Sequence, residues 1–590
     1  MQTLASALIK LVLVTLVFHD TTLGQYDIIE NFDPEKELPE SDLLLLNNLK
    51  FLHNSLTPES ATLLTQLSFL SAEETLALEE FKNGKLGNVD NSPRLKILTV
   101  HLWSDVAISK TKGTFLHRMN RTDGIQYKWF GTVDFGQFTV GGLGERDPQE
   151  VDILDYHSLF LKTKFQNFDY TIGNYQMLLG HGLVSWRSIP VKSDFGTTNS
   201  ALRRGRGIQP FRSGHESWAY QGLGWTQPLR QGILTAGISY RNLDGSLERK
   251  KFKTSNSGLH VSKSQIENRG NISETVGIAD WGRETQHGHV GFILGGAAWN
   301  NDKDNLTNLA TSVYGNYQVS NWQLFSELAY TSQNKNAIVG GGKLKHKSFH
   351  YGFVLRKIDP DYFALRDNVF RNWNNQELGE MGVLQEIRFR LHQTMVNIYS
   401  DLFSRIRKIE GEFQKYGHET GINIEHRFNT KLRIQSKLKI QESSSEHYDY
   451  TEYQSSAFPV STFKTTIKWT QSKRQSYQCQ IQEKHNQDGN PSSWGIQFRG
   501  KHLWDRWGIN IYWVTARIDE KNWLYYWDVN LPGEMKSKVF TQSGHYLGSS
   551  IYYHTSDYSE IHLRLSTAWN SWNFDIVPIF RGALQINVSI

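Results

Sequence analysis

The sequence contains little of what stabilises small secreted domains or helical membrane proteins. Among its 590 residues there is one cysteine, Cys479, which excludes a disulfide framework and a cysteine-based zinc site. The hydrophobic fraction is 38% and the mean hydropathy is -0.50. A polytopic helical membrane protein needs repeated apolar runs of roughly 20 residues, so that class is excluded as well. An aromatic content of 13% in so polar a chain leaves two classes, an extracytoplasmic all-β protein and a membrane β-barrel.

The first 24 residues have the pattern of a secretory signal peptide. Lys10 precedes a short apolar run at residues 11–18, and small residues follow at Thr22–Gly24. A charge, a short apolar core and a small-residue exit predict cleavage after Gly24 and export from the cytoplasm. The alternative is an uncleaved anchor, but the run is too short to span a bilayer by itself.

Residues 25–92 are predicted to form a small, acidic helical domain in the periplasm. Leucines between residues 43 and 52 follow a helical spacing, and Ser71–Glu74 is a capping box that opens a further helix. The segment resembles a degenerate helix-hairpin-helix module without its hairpin glycine. The hairpin positions would be Leu67, Ser68, Phe69, Leu70 and Ser71.

The charge of this segment disfavours DNA as its partner. Residues 26–90 contain 13 Asp and Glu against 4 Lys and Arg, a net charge of -9. Affinity for a phosphate backbone comes from cations that release counterions, which requires the opposite sign. Docking to periplasmic or envelope proteins, or plugging of a pore, is therefore the preferred interpretation, and DNA binding is kept as an alternative.

Residues 93–590 alternate between apolar and polar side chains and are predicted to be mainly β. In residues 421–442, a turn at Phe428–Thr430 separates two runs in which isoleucine and leucine alternate with charged or amide side chains. A period of two places the two sets on opposite faces of a sheet. Counting such hairpins predicts a large antiparallel transmembrane β-barrel of roughly 18–22 strands. A water-soluble sandwich or propeller, with the apolar face inside, is the alternative.

Two features favour the membrane barrel over the soluble alternative. Long Lys, Arg and Gln side chains oppose the apolar face, as expected of a polar lumen. Aromatic residues cluster near predicted strand ends, as in interfacial girdles. The cluster comprises Trp504, Trp507, Tyr512, Trp513, Trp523, Tyr525, Tyr526 and Trp527.

Several longer stretches resemble one family of exported proteins. They include "FTVGGLGERDPQEVDILDYHSLFL", "YTIGNYQMLLGHGLVSW", "RGRGIQPFRSGHESWAYQGLGW" and "TARIDEKNWLYYWDVNLPGEM". These resemble the exported helix-hairpin-helix barrel proteins of Bacteroidota, and the similarity extends over nearly the whole mature chain. The resemblance implies a signal peptide, a short helical region and a long outer-membrane barrel. It implies no particular reaction.

Basic residues provide the candidates for a pore lining. The non-strand stretch at residues 185–216 is either an extracellular loop or a segment that folds inward and narrows the pore, where arginines would favour anions. With the -9 of residues 26–90 removed from the overall +5, the barrel region carries +14. An acidic periplasmic domain could close such a basic lumen electrostatically. The predicted pore-lining residues are Arg203, Arg204, Arg206, Arg212, Lys431, Arg433, Lys437, Lys439, Lys464 and Lys468.

No motif predicts an enzyme, a cofactor or a metal site. His181 and Ser185 lie close in sequence and suggest a barrel-embedded hydrolase only weakly, because nucleophilic catalysis needs a base oriented by a third group and an oxyanion site. The 21 histidines are scattered, without the spacing of metal-ligand motifs. Catalytic residues, cofactors and metals are therefore all predicted to be absent.

The predicted function is a passive channel or a scaffold component of an envelope complex, embedded in outer-membrane lipid. A nucleic-acid binding or uptake factor and the hydrolase are the alternatives. Active import is disfavoured, because no separate plug domain precedes the first strand. The substrate does not follow from the sequence.

Overall fold

A computed structural model describes one of the two compact units into which the chain divides. The units are residues 1–105 and 106–590, and every described residue belongs to the second. The predicted signal peptide, the helical domain at residues 25–92 and its hairpin positions Leu67–Ser71 therefore lie outside the described residues. The structure describes residues 111–120, 124–147, 150, 155–186, 197–248, 251–254, 260, 262–372, 378–407, 416–443, 445–449, 452–456, 459–486, 492–519, 522–528, 530–532, 537–556, 558–572 and 578–589.

The described residues form 31 strands, one short helix α1 (Lys263–Glu267) and two 3₁₀ turns (Thr197–Ser200 and Glu216–Trp218). The strands are β1 (Thr111–Asn120), β2 (Gly124–Asp134), β3 (Phe138–Arg146), β4 (Tyr156–Phe165), β5 (Phe168–Leu178), β6 (Gly207–Pro210), β7 (Tyr220–Leu229), β8 (Gly232–Leu243), β9 (Gly245–Glu248), β10 (Lys251–Thr254), β11 (Ile272–Thr285), β12 (Gly288–Asn300), β13 (Asn305–Val319), β14 (Trp322–Thr331), β15 (Lys335–Lys345), β16 (Phe349–Ile358), β17 (Glu380–Leu391), β18 (Thr394–Ser404), β19 (Tyr416–Arg427), β20 (Leu432–Ser443), β21 (Ser445–Asp449), β22 (Glu452–Ser456), β23 (Val460–Ser472), β24 (Gln475–Asn486), β25 (Ser493–Leu503), β26 (Trp507–Arg517), β27 (Leu524–Trp527), β28 (Ser537–Phe540), β29 (Gly544–Ser556), β30 (Ser559–Trp569) and β31 (Ile579–Ser589).

The main sheet closes on itself into an antiparallel barrel. Its 25 strands include β6, which adds only to the end of β5, and the other 24 pair with their neighbours in chain order. The last strand returns to the first, with Lys112 opposite Ser589, so the ring has no free edge. The hairpins β9–β10, β21–β22 and β27–β28 are separate two-stranded sheets.

The barrel has 24 strands, more than the 18–22 predicted from the sequence. Some strands alternate too little between apolar and polar residues to be recognised as strands from the sequence. For example, β3 reads FTVGGLGER and β15 reads KNAIVGGGKLK, and glycines interrupt the period of two in both. A ring of this size encloses a lumen too wide for wall side chains alone to fill.

The two ends of the barrel differ in the length of their connections. At the end where β31 finishes, successive strands are joined by two to four residues, as at 166–167, 230–231 and 428–431. At the opposite end the connections include residues 179–219, 244–271, 359–379 and 518–543. Short turns at the end where β1 begins and β31 finishes, and long loops at the other end, are typical of outer-membrane barrels.

The wall is apolar outside and polar inside, as the sequence predicted. On β14, the side chain of Leu328 points outward and is 53% exposed, whereas the preceding residue, Glu327, points into the barrel and is 0% exposed. The same alternation holds on β24, where Tyr477 and Ile481 are exposed and Gln480 is buried. This is the arrangement of a membrane barrel and the reverse of a water-soluble sandwich.

Aromatic side chains gather at the short-turn end of the outer face. Phe135 stacks on Phe138 across one turn, and Trp507 lies against Tyr553 beside another. Of the predicted girdle, Trp504 and Trp507 are exposed at this end, whereas Tyr512 and Tyr526 are buried. Trp523, Tyr525 and Trp527 belong to the 518–543 connection at the long-loop end, so they are not part of the girdle on the barrel wall. Tyr512 has the inward parity on β26 and packs edge-on against Tyr546.

No helix among the described residues is long and apolar enough to cross a bilayer.

Candidate functional site

Two long connections fold into the barrel and pack against each other. They are the described parts of 179–219, between β5 and β7, and of 359–379, between β16 and β17, and are called here the inward loops. The Trp186 N–H donates to the Arg366 carbonyl at 2.7 Å, and the Arg366 N–H donates to the Val184 carbonyl at 3.1 Å. Leu183 and Tyr362 are fully buried in one apolar cluster with lumen-facing residues of the wall. Of the two alternatives left open for residues 185–216, the described residues 185–186 and 197–216 favour inward folding.

A buried carboxylate on β14 anchors the first inward loop. Glu327 accepts the backbone N–H of His181 at 2.6 Å and that of Leu183 at 3.4 Å. The Ser312 hydroxyl donates to its other oxygen at 2.9 Å. Further along this loop, Glu386 of β17 accepts from both the N–H and the hydroxyl of Thr198 at 2.8 Å. Wall carboxylates thus satisfy loop N–H groups that would otherwise be unpaired in the interior.

An ion pair holds the second inward loop against the wall. Arg366 donates to both carboxylate oxygens of Glu274 on β11, one of them at 2.9 Å. The Trp299 indole N–H donates to the same carboxylate at 2.8 Å. A bidentate, water-excluded pair of this kind is geometrically specific, so it fixes where the loop lies.

A second buried arginine organises the end of that loop. Arg356 on β16 donates to Glu380 at 2.7 Å and to Asp401 at 2.8 Å, and all three side chains are essentially inaccessible. The Asn372 backbone N–H bonds Glu380, and its side-chain amide bonds Asp401 at 2.7 Å. We call β11–β18, which supply these anchoring groups, the anchored wall.

The four arginines predicted to line a constriction lie on the first inward loop, in different settings. Arg203 is buried and donates to the carbonyls of Ser200 and Asn368. Arg204 pairs with Glu284 of β11. Arg206 lies over the Trp186 ring, and Arg212 lies over the ring of Phe160. Arg203 is therefore a packing residue of the loop rather than a pore-lining one.

Most of the predicted lumenal lysines do face inward. On β20 and β23 the exposed outer positions are held by Leu438, Phe463, Ile467 and Trp469. The alternate positions therefore point to the lumen, and we call these strands the basic wall after their inward cations Arg433, Lys437, Lys439, Lys464 and Lys468. Lys431 differs, because it lies in the 428–431 turn at the short-turn end.

Cations of the basic wall stand directly opposite one another. In the register of β20 and β23, Lys437 faces Lys464 and Arg433 faces Lys468. Two acidic residues on β19 are close by, with Glu419 at 3.4 Å from Lys439 and Glu425 at 3.5 Å from Arg433. Like charges directly opposite one another destabilise a sheet, and these glutamates offset part of that repulsion.

The two residues considered for hydrolysis have other partners. The Ser185 hydroxyl donates to the Met177 carbonyl at 2.9 Å and lies 3.0 Å from the Tyr220 hydroxyl. The His181 ring contacts the Gly315 carbonyl at 3.4 Å through Nε2. These contacts hold the first inward loop in the lumen, and they are not the serine–histidine hydrogen bond that a nucleophile requires.

A cluster that sequence reasoning missed lies at the long-loop end. His260 is hydrogen-bonded through Nδ1 to Asp155 and through Nε2 to Asp244, with Glu150 and Glu216 nearby. Burial, reinforced by the charges of the neighbouring carboxylates, raises the pKa of Glu216 to about 9. Burial opposes a charged His260, yet its hydrogen bonds to Asp155 and Asp244 raise the pKa of the imidazole. The five residues span 110 positions, so no local motif could have revealed them.

No protein-family model and no curated protein sequence matches the chain. Similar solved structures include the siderophore receptor PirA from Pseudomonas aeruginosa, with a TM-score of 0.43, 8% identity, and coverage of 82% of this chain and 80% of that chain. The copper transporter OprC gives 0.42 and 6% over 82% and 80%. The FrpB iron transporter from Neisseria meningitidis gives 0.40 and 7% over 83% of each chain. Similarities at this level carry no inference about transport or substrate.

Proposed function

We propose that the protein is an outer-membrane channel whose aqueous path runs along the basic wall and favours anions. The observation that carries the proposal is the facing pairs of cations on β20 and β23, Lys437 with Lys464 and Arg433 with Lys468. Rings and rows of cationic side chains in a pore select anions by electrostatic attraction.

One further feature supports an aqueous path on that side. Buried charged groups that anchor the inward loops lie on the anchored wall, at Glu274, Glu327 and Glu386, and further loop contacts come from Ser158 of β4 and Arg241 of β8. Cations such as Arg433 and Lys439, which are partly exposed, prefer water, whereas the anchored wall buries apolar side chains against the loops.

Reversal potentials in planar bilayers across a KCl gradient test this proposal. The wild-type protein is expected to show a chloride-favouring reversal potential. The quadruple variant Arg433→Gln, Lys437→Gln, Lys464→Gln and Lys468→Gln is expected to lose most of that preference at similar conductance. As a matched control, Lys263→Gln with Lys357→Gln removes two exposed cations from α1 and from the outer face of β16, and should leave the potential unchanged.

The outcomes separate the channel from a scaffold. Conductance with no anion preference, or with a preference that survives the quadruple variant, contradicts the proposed role of the basic wall. A correctly inserted protein that conducts no ions contradicts the channel and favours a scaffold. The scaffold hypothesis predicts that a stoichiometric partner is recovered in pull-downs from detergent-extracted membranes.

A further inference from the structure

His260 lies at the centre of the cluster at the long-loop end, and each of its two ring nitrogens has a carboxylate partner. His260 Nδ1 lies 2.9 and 3.0 Å from the two oxygens of Asp155, and Nε2 lies 2.7 Å from Asp244 Oδ2. Its own backbone N–H donates to Glu150 at 3.0 Å. The imidazole is almost completely buried. Its position and orientation are therefore fixed by the loops around it.

Two sets of potential ligand atoms share this imidazole. Glu150, Asp155 and His260 form one set, and Glu216, Asp244 and His260 form the other. Within each set the candidate oxygen and nitrogen atoms lie within 4.8 Å of one another. The residues come from three connections at the long-loop end, which join β3 to β4, β6 to β7, and β8 to β11.

The first set already has its hydrogen-bond donors. Glu150 accepts the N–H groups of His260 and Asp147 at 3.0 Å each. Asp155 accepts from the imidazole and from Arg269 at 3.1 Å. This side resembles the outer shell of a metal site, in which a carboxylate accepts the proton of one histidine nitrogen and thereby aims the other nitrogen at the metal.

The carboxylates of the second set, Asp244 and Glu216, accept fewer hydrogen bonds than those of the first set. Asp244 accepts the Gly270 N–H at 2.7 Å through Oδ1, which leaves Oδ2 facing His260 Nε2. Within the described part of the chain, no hydrogen bond reaches the carboxylate of Glu216. Across the whole cluster, four carboxylates face one imidazole and the guanidinium of Arg269. Negative charge in a partly buried site is stabilised by a bound cation or removed by protonation.

We propose that His260 Nε2, Asp244 and Glu216 bind a divalent transition-metal ion of the zinc class, with Asp155 holding the opposite nitrogen of His260. One imidazole with carboxylate oxygens suits Zn²⁺, whereas Ca²⁺ and Mg²⁺ prefer oxygen ligands throughout. Binding releases to solvent the proton on His260 Nε2 and the proton that Glu216 carries near neutral pH, because metal ligands must be deprotonated. The ion joins the connection between β6 and β7 to the one between β8 and β11 at the mouth of the barrel.

Zinc titration of the full chain in detergent, monitored by competition with a chromophoric chelator, tests the site. The wild type is expected to bind one Zn²⁺ per chain. Asp244→Asn, Glu216→Gln and His260→Gln are each expected to weaken binding tenfold or more. The matched control is His289→Gln, which breaks a single histidine–carboxylate pair with Glu284 on β11–β12 and should bind as the wild type does.

Hydrogen exchange gives a readout that does not depend on a stable variant. Zn²⁺ should slow exchange of the backbone at 244–248 and 216–220 in the wild type and leave β13–β14 unchanged. Wild-type protein that binds no Zn²⁺, or that binds it equally after Asp244→Asn and Glu216→Gln, overturns the proposal. Protection by Ca²⁺ as strong as that by Zn²⁺ overturns the assignment of the ion. Preserved heat-modifiable migration of each variant confirms that a loss of binding is not a loss of the fold.

Discussion

The anchored wall and the basic wall are parts of one sheet, yet they place charge on the lumenal face in different ways. On the anchored wall, Arg356 is sealed between Glu380 and Asp401, with each charge paired inside the protein. On the basic wall, Arg433 is 40% exposed and stands opposite another cation, Lys468. Buried, complementary charges position a structure, whereas exposed charges of one sign create a field. On the proposed function, the anchored wall holds the inward loops and the basic wall attracts anions.

The largest difference between the walls should appear in stability. Arg356→Gln leaves two buried carboxylates without their cation and disturbs the contacts of Asn372. Breaking a buried pair in this way costs about 3–5 kcal/mol. The loss should appear as a lower midpoint of urea unfolding for the protein in detergent, monitored by heat-modifiable migration.

Arg433→Gln is the matched substitution on the basic wall. Its pair with Glu425 is partly solvated, and exposed pairs contribute about 0–1 kcal/mol. Equal shifts in midpoint for Arg356→Gln and Arg433→Gln would contradict the distinction between the two walls.

A smaller effect is expected where a wall carboxylate anchors loop backbone. Glu327→Gln replaces one acceptor oxygen with an NH₂ group, so the side chain can no longer accept both from the Ser312 hydroxyl and from the backbone N–H groups of His181 and Leu183. Leaving a buried donor unsatisfied costs about 1–3 kcal/mol. Hydrogen exchange at 179–186 should therefore quicken in this variant while that of β24 stays unchanged.

Glu425→Gln supplies the control for this anchor. It changes a lumenal carboxylate on β19 that contacts arginine side chains and no described loop backbone. Exchange at 179–186 that quickens equally in Glu425→Gln would show that the loop responds to lumenal charge in general rather than to Glu327.

The orientation of the wall side chains could be predicted from the sequence, because it depends only on the alternation of neighbouring residues along each strand. Tyr477 and Ile481 alternate with Gln478, Gln480 and Gln482, and the structure places the first set outside. The same rule of alternation would have assigned Tyr512 to the lumen, since it lies between Ile511 and Trp513. Clustering of aromatics along the sequence was the weaker guide there.

The interior could not be predicted in the same way, because its contacts join distant residues. Glu327 meets His181 and Arg366 meets Glu274 across 146 and 92 positions. Neither pair has a periodic signal. The alternation along a strand places a charged residue on the lumenal face, but it does not show whether that residue contacts water or a packed loop. His260 presents the same difficulty, since its partners come from three separate connections.

The orientation of the wall is the claim on which the rest depends, and the single native cysteine tests it directly. Cys479 shares the outward parity of Tyr477 and Ile481 on β24, and Gln480 beside it is buried toward the lumen. A bimane label on Cys479 in proteoliposomes should be quenched by spin-labelled acyl chains and not by iodide. A label on Gln478→Cys in a Cys479→Ser background, at a half-buried position with the lumenal parity of Gln480, should respond in the reverse order. Quenching of the Cys479 label by iodide together with lipid quenching at position 478 would contradict an apolar exterior and a polar lumen.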